Sequence, residues 1–279
     1  MEYREFAPRS SLAPFVDRLW TLTGNAREPG GGAQPVLPDG RPELVVHFGD
    51  PFERLDERGR GARQARVLLA GQLTAQLALR PTGVIGVLGV RFHPFGASAF
   101  VGHRLHEMTG LTIGIEDVSP AVARAIARVR SRTDDAIEAV PFVEAALERC
   151  VDARPVDARV RFATGRIVAS RGRVSIDALA RQASVTRRHL ERRFLESVGI
   201  PPKRLARIAR FQAALRALQA ADPDRAGTIA AAACGYADQS HFIREFRELA
   251  GCAPSAHLVH RAEMTGFFVT GGRASSSRA

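Results

Sequence analysis

Apolar positions recur in two different rhythms along the chain. Between residues 36 and 92 they come in short runs and alternations. Leu44-Val45-Val46-His47-Phe48 follows the turn signal Pro38-Asp39-Gly40, Val67-Leu68-Leu69 is a second run, and Val84 to Phe92 alternates apolar residues with Gly86 and Gly89 just after Gly83. Runs of this length bounded by Gly and Pro read as strands, and glycines within one suit a bulged or tightly curved strand of a barrel. The polar stretch 53–66 reads as an exposed loop. From residue 97 the rhythm turns helical. Ser119-Pro120 is a helix start with Pro in the first turn, followed by Ala121 to Val129. Residues 134–151 read as a second helix carrying Ile137, Val140, Ala145 and Leu147, with Pro141 inside it as a kink or a boundary.

Beyond residue 155 the dominant pattern is an internal repeat. Residues 176–202 lie over 228–254 at an offset of 52, with eight of 27 positions identical, where composition alone gives roughly two. The identities include Ala180/Ala232, His189/His241, Arg192/Arg244, Phe194/Phe246 and Gly199/Gly251. Each copy has the same layout. A short helix comes first, Ile176 to Gln182 or Thr228 to Cys234, then a turn, which in the second copy contains Gly235. A longer helix opens at an N-cap, Thr186 or Asp238, and buries residues four apart, Leu190 and Phe194 or Phe242 and Phe246. Short helix, turn, longer helix is the helix-turn-helix unit. Between the copies, Leu205, Ile208, Phe211, Leu215 and Leu218 keep helical spacing from Pro202 to about Ala220. A helix of that length, about 25 Å, holds two recognition helices on one face of a duplex.

The buried stripe leaves Arg187, Arg188, Glu191 and Arg192 outward in the first unit, and Gln239, Ser240, His241, Ile243 and Arg244 in the second. Arg pairs with guanine O6/N7, Gln with adenine N6/N7, Glu with cytosine N4, and an aliphatic side chain touches the thymine methyl. The bland alternative for Arg192 and Arg244 is an intrahelical ion pair with Glu196 or Glu248, four residues on. Charge sharpens the choice. Residues 1–154 hold 19 basic and 19 acidic residues, so the whole net charge of +11 lies beyond them. A basic half beside a neutral half implies a polyanionic partner for one domain only. The first unit, with Arg187, Arg188, Arg192 and Arg193, is expected to dominate affinity.

These residues resemble the AraC/XylS family of bacterial transcription regulators. The resemblance rests on Ala180, Thr186, Leu190, Arg192 and Phe194, then Gly199, Pro202, Arg210 and Phe211, and in the second copy on Ile229-Ala230, Gly235-Tyr236, Asp238, Ser240, Phe242, Arg244, Phe246, Gly251 and Pro254-Ser255. It covers residues 160–262. It implies double-stranded promoter DNA as partner, with RNA polymerase and a second copy of the chain as further candidates, and a small-molecule effector that it leaves unidentified. The stretches Pro38-Asp39-Gly40, Gly71-Gln72 and Val90 to Gly96 are similar to those of the β-rich, cupin-like sensor domains attached to such regulators.

The expected fold is therefore α+β. A β-rich, cupin-like sensor domain spans 1–152, a linker 153–159, an all-α DNA-binding domain with two helix-turn-helix units and a linker helix 160–262, and a disordered tail 263–279. His47, Arg91 and His93 are the candidate effector contacts. His103 and His106 share a helix phase, but two histidines do not make a metal site, and neither metal nor cofactor is expected. Cys150, Cys234 and Cys252 form no cluster, which speaks against an enzyme that uses the C-terminal domain only for targeting, such as a metal-cysteine alkyl-transfer repair protein. A nonspecific architectural protein is disfavoured by the unequal recognition helices. The charged first 20 residues do not read as a signal peptide, and no apolar run reaches membrane-span length, so a cytoplasmic protein is expected.

Overall fold

The computed structural model describes residues 1–28, 31–102, 105–152, 156–220 and 234–261. Its N-terminal part is built on two antiparallel sheets. The first has the order β1-β2-β9-β4-β7-β10, formed by β1 (Glu2–Phe6), β2 (Val16–Asn25), β9 (Val84–Phe92), β4 (Glu43–His47), β7 (Val67–Ala70) and β10 (Thr112–Gly114). The second has the order β3-β8-β5-β6, formed by β3 (Gln34–Val36), β8 (Leu77–Arg80), β5 (Glu53–Leu55) and β6 (Gly61–Arg63).

Strand alternation sorts the side chains of the first sheet onto two faces. On β4 and β9, Leu44, Val46, Leu88, Val90 and Phe92 point toward a helical layer and share its core. That layer is supplied by α1 (Ser98–Val101), α2 (Ile115–Val118), α3 (Pro120–Arg130) and α4 (Val140–Glu148), with Val122, Ile126, Val143 and Leu147 buried. Glu43, Val45, His47, Val87 and Arg91 point the other way, toward the second sheet. Register fixes their neighbours: Glu43 lies opposite Arg91, Val45 opposite Gly89 and His47 opposite Val87.

Several local readings change here. The stretch 53–66 is not a plain loop, because β5 and β6 pair as an exposed hairpin, with Glu53 opposite Arg63. Backbone pairing makes this hairpin together with its turn, where Asp56 Oδ1 accepts from the Arg58 and Arg60 N–H groups at 2.9 Å, and its sequence carries no apolar alternation to announce it. The helix expected from residue 134 begins at Val140, with Pro141 in its first turn, where its missing N–H costs nothing. Ser119 caps α3, its Oγ accepting from the Val122 N–H at 3.5 Å. β2 pairs with β9 through a bulge between Val16 and Arg18, and a bulge shifts the inside-outside phase that a sequence pattern relies on.

The C-terminal part comprises α5 (Ala158–Ala169), α6 (Ile176–Gln182), α7 (Arg187–Ser197), α8 (Pro202–Ala220), α9 (Gln239–Ala250) and α10 (Pro254–Arg261). The helix α5 opens at Ala158, capped by Asp157, so it takes over the end of the stretch expected as linker. Leu190, Phe194, Phe211, Phe242 and Phe246 are at most 1% exposed and share one core. Each phenylalanine contributes about 1.5–3 kcal/mol of burial free energy. The expected helix Thr228 to Cys234, His103 and the tail 263–279 lie outside the described residues, apart from Cys234 itself, which is buried in the same core.

The long helix α8 is apolar round much of its circumference, burying Leu205, Ala206, Ile208, Phe211, Ala213, Ala214, Leu215 and Leu218. A helix with so wide an apolar surface must be covered on several sides. The helices α5, α7 and α9 cover part of it. The sensor domain covers the rest: Leu37 and Phe95 join the C-terminal core, and Gly40 packs against Leu205. Gly40 has φ 78, a backbone conformation that favours glycine, and it packs against the Leu205 Cδ1 methyl, which a Cβ there would meet at 2.8 Å and displace.

Candidate nucleic-acid interface and effector cavity

Both recognition helices are capped as their sequences imply. Thr186 Oγ1 accepts from the His189 N–H at 3.2 Å to start α7, and Asp238 Oδ1 accepts from the His241 N–H at 2.7 Å to start α9. With Leu190 and Phe194 inward, Arg187, Arg188 and Arg192 are exposed on α7, while Glu191 is half-buried. Their freedom differs. Arg187 Nε donates to Glu191 at 2.8 Å, and its guanidinium lies 3.5 Å from Asp177. Arg192 lies only 3.4 Å from His189 Nδ1, a weak contact that leaves it ready for another partner.

On α9, Gln239, Ser240 and Arg244 are exposed, but two predicted readers are engaged within the fold. His241 packs edge-on against Tyr236, and its Nε2 is 3.8 Å from Glu245. Ile243 packs partly buried against the domain core. The pairs Arg192–Glu196 and Arg244–Glu248 do not form. Glu196 takes Arg193 at 2.7 Å, and Glu248 takes Arg204 and Arg207 from α8. This frees Arg192 and Arg244 while tying α9 to the linker helix.

Glu245 strengthens that tie. It is 3% exposed, accepts from Arg207 Nε at 2.8 Å, and lies 3.3 Å from Arg210 Nε. Arg210 also sits 5.0 Å from the centre of the Tyr236 ring. Arg187, Lys203, Arg207, Arg210 and Arg244 line one groove between the two units, with Asp177 and Glu245 as the opposing charges. Arg210 was among the motif residues, but Lys203 and Arg207 were not singled out by it. The spacing of the three, four and then three residues on a predicted helix, was the signal that puts them on one face.

A cavity of about 80 Å³, the space open to the centres of water molecules, lies between the two sheets. Its apolar wall includes Trp20, Leu22, Phe52, Leu68, Leu79 and Val87, and its polar end carries Asp39, Arg41, Glu43 and Arg91. Arg91 donates from Nε to Glu43 at 2.5 Å and lies 3.6 Å from Asp39. Arg41 reaches Asp17 at 2.7 Å. The two carboxylates hold Arg91 firmly in its charged form, while desolvation lifts the Asp39 carboxyl above its usual range. His47 is fully buried on the apolar wall, and burial pushes it down to about 4, so it is neutral at physiological pH.

Of the three predicted effector contacts, His47 and Arg91 line this cavity. His93 stands apart, its Nε2 3.2 Å from the Ala13 carbonyl and its ring tilted against Phe95. The sensor stretches singled out in the sequence meet at the boundary with α8. Gln72 donates from Nε2 to the Gly40 carbonyl at 3.0 Å and to the Pro94 carbonyl at 3.3 Å. Gln212 of α8 donates to the Pro38 carbonyl at 2.7 Å and is itself part of the cavity wall. Arg204 donates to the Thr74 carbonyl at 2.7 Å. Among the described residues no group of three or more His, Cys, Asp or Glu side chains is gathered as for a metal ion, and no helix is long and apolar enough to cross a membrane.

Comparison with known proteins matches two separate stretches of the chain. Residues 179–258 match a helix-turn-helix domain family, and residues 4–114 match a domain of unknown function, DUF6597. No curated protein matches the chain. Among solved structures, it is similar to a probable AraC family transcriptional regulator from Rhodopseudomonas palustris at 26% identity, over 39% of this chain and 100% of that one, with a TM-score of 0.33. It is also similar to ToxT from Vibrio cholerae, solved with an unsaturated fatty acid bound, at 14% identity over 88% and 96% of the two chains, TM-score 0.44. The AraC-like transcriptional activator CuxR follows at 15% identity, 83% and 90% coverage and TM-score 0.28.

Proposed function

We propose that the chain is a transcription regulator of the AraC type that reads two successive major-groove segments with α7 and α9 under the control of a small molecule held between the sensor sheets. It is a DNA-binding regulator, not an enzyme. The observation that carries the reading is the pair of capped helices fixed to one rod, α8, with Arg188, Arg192, Gln239, Ser240 and Arg244 outward. Arg192 is the leading base-reading residue of the first unit, with Arg188 beside it; Gln239, Ser240 and Arg244 serve the second. Arg187 and Lys203 in the groove serve phosphates, which set register rather than sequence. Glu191 is held by Arg187, so its contact with cytosine requires that pair to open. His241 and Ile243 support the second helix from its inner flank.

Control passes through α8. The same helix forms cavity wall at Gln212 and holds α9 through Arg207 and Arg210. An effector that moves Gln212 therefore re-aims the second recognition helix relative to the first, a shift between two arrangements of one rigid element. Selection of random duplexes by the full chain, followed by footprinting, tests the DNA reading. Two protected segments about 10 base pairs apart are expected. A single segment, or no sequence preference, would refute it. Gln212→Ala tests the coupling: the difference in operator affinity between saturating effector and none is expected to vanish, and an unchanged difference would refute it.

A further inference from the structure

The polar groups of the sensor cavity differ in how well they are satisfied. The charged ones are matched among themselves. Arg91 faces Glu43 and Asp39, and Arg41 Nη1 is ion-paired with Asp17 at 2.7 Å though outside good hydrogen-bonding geometry, so both cations already have a counter-charge against an incoming anion and both lining carboxylates against an incoming cation. A charged ligand would have to break one of these pairs and also lose its own hydration. Two uncharged polar side chains of the wall have atoms without partners. Trp20 Nε1 and both ring nitrogens of His47 are buried with no hydrogen-bond partner. Gln64 lies within reach of the imidazole and raises its basicity as a hydrogen-bonding neighbour, but neither ring nitrogen has a partner in good hydrogen-bonding geometry. Trp20 is 6% exposed and His47 is 0% exposed. Buried polar atoms left this way cost free energy until a ligand or a water meets them.

Their placement is specific. Trp20 on β2 lies opposite Gly89 on β9, and its indole covers that glycine, where any Cβ would overlap the ring. The indole therefore leans across β9 toward β4, which carries His47 on the same face. Tyr3 stacks on the outer side of Trp20 at 6.0 Å, and Phe52 flanks His47 at 5.3 Å. The cavity has room for about six waters by the same measure, the size of one substituted ring.

The geometry points to an uncharged ligand of single-ring size, with an apolar body against Leu22, Phe52 and Val87 and one hydroxyl or carbonyl oxygen that meets the Trp20 N–H and the His47 imidazole. This rests on the reading of the cavity as the effector site and adds the ligand's charge and chemical class.

Trp20 is the chain's single tryptophan, so its emission reports occupancy without engineering. The full-length protein is titrated with benzyl alcohol, benzoate and benzylammonium, three probes of one size and three charges, with thermal unfolding as a second readout. Saturable change in Trp20 emission with benzyl alcohol, and at least tenfold weaker response to both ions, is expected. Equal or tighter binding of benzoate or benzylammonium overturns the assigned ligand class while leaving the cavity as the effector site. No response to any probe from the folded chain overturns the cavity reading itself. Toluene, which lacks the oxygen, is expected to bind at least fivefold more weakly than benzyl alcohol, and parity would refute the hydrogen-bond assignment. The same gap closes in His47→Phe; because the toluene comparison uses the native chain, the test does not depend on that variant folding.

Discussion

Replacing Glu245 by Gln keeps its shape and removes one charge from the joint between α8 and α9. The carboxylate is 3% exposed, and its partners Arg207 and Arg210 are 24% and 18% exposed. Breaking a fully buried pair from one side costs about 3–5 kcal/mol. Both arginines retain some solvent, and Glu248 still holds Arg207, so a loss of about 2 kcal/mol is the consistent expectation. For a chain of this size that is a fall of roughly 4–8 °C in Tm. The effect on DNA runs the other way. Glu245 lines the same groove as Arg187, Lys203 and Arg244, so its neutralisation leaves up to two guanidiniums newly available to phosphates. The salt dependence of nonspecific binding should steepen by up to about 1.8 in log–log slope, at roughly 0.9 per phosphate contact. Thermal denaturation and fluorescence anisotropy with an arbitrary duplex at several salt concentrations measure both. An unchanged Tm together with an unchanged slope would refute the argument that this carboxylate holds the two arginines out of the DNA groove.

Three further outcomes follow from the same structure. Arg192→Ala should weaken operator binding by about 1–3 kcal/mol with relaxed base preference, whereas Ile243→Ala should act chiefly on stability, by about 1–2 kcal/mol, because that side chain packs on the core; a larger binding loss from Ile243→Ala in the folded protein would show the recognition face to be misassigned. Gly89→Ala should destabilise the sensor domain by about 1–3 kcal/mol through overpacking against the indole and shift Trp20 emission, and native emission with native stability would disprove the seating of Trp20 on that glycine. His47 is neutral when folded, with its pKa lowered to about 4. The unfolded chain therefore takes up the proton first as pH falls below about 6.5. Stability is fully present above that value and is lost between pH 6.5 and 4, by roughly 3 kcal/mol in all. Urea unfolding across that window should be flatter in His47→Gln, and an identical slope would exclude His47 as the source.

Legibility differed between the two halves for physical reasons. The C-terminal units repeat, and each carries its own cap, turn and four-residue apolar spacing, so Thr186, Asp238, Leu190, Phe194, Phe242 and Phe246 were readable in place. All these signals act within one helical turn. The strands β4, β7 and β9 were readable from their apolar runs. The strands β1, β2 and β10 were not, because a bulge breaks the phase at the start of β2, β1 is an edge strand with no buried residue, and β10 is a three-residue edge strand whose partner β7 lies more than 40 residues away. The exposed hairpin of β5 and β6 has no buried face to betray it.

The candidate site divides along the same line. Which residues project from α7 and α9 follows from helical phase, but which of them are free does not. Arg187 is claimed by Glu191 and Asp177, His241 by Tyr236, and Ile243 by the core, while Arg192 is released because Glu196 turns to Arg193. Likewise, alternation alone puts Glu43 and His47 on one face of their strand, and Val87 and Arg91 on one face of theirs. Only the pairing register sets Glu43 against Arg91, and only the docking of α8 brings Gln212, 174 residues from Pro38, to the wall of the same cavity. Sequence by itself determined the helix-turn-helix repeat, its charge and its caps, since these are local periodicities and short-range hydrogen bonds. Tertiary structure decided which cations are spent on the protein itself and how the sensor touches the linker helix, since ion pairing and packing depend on distances between segments that no local pattern encodes.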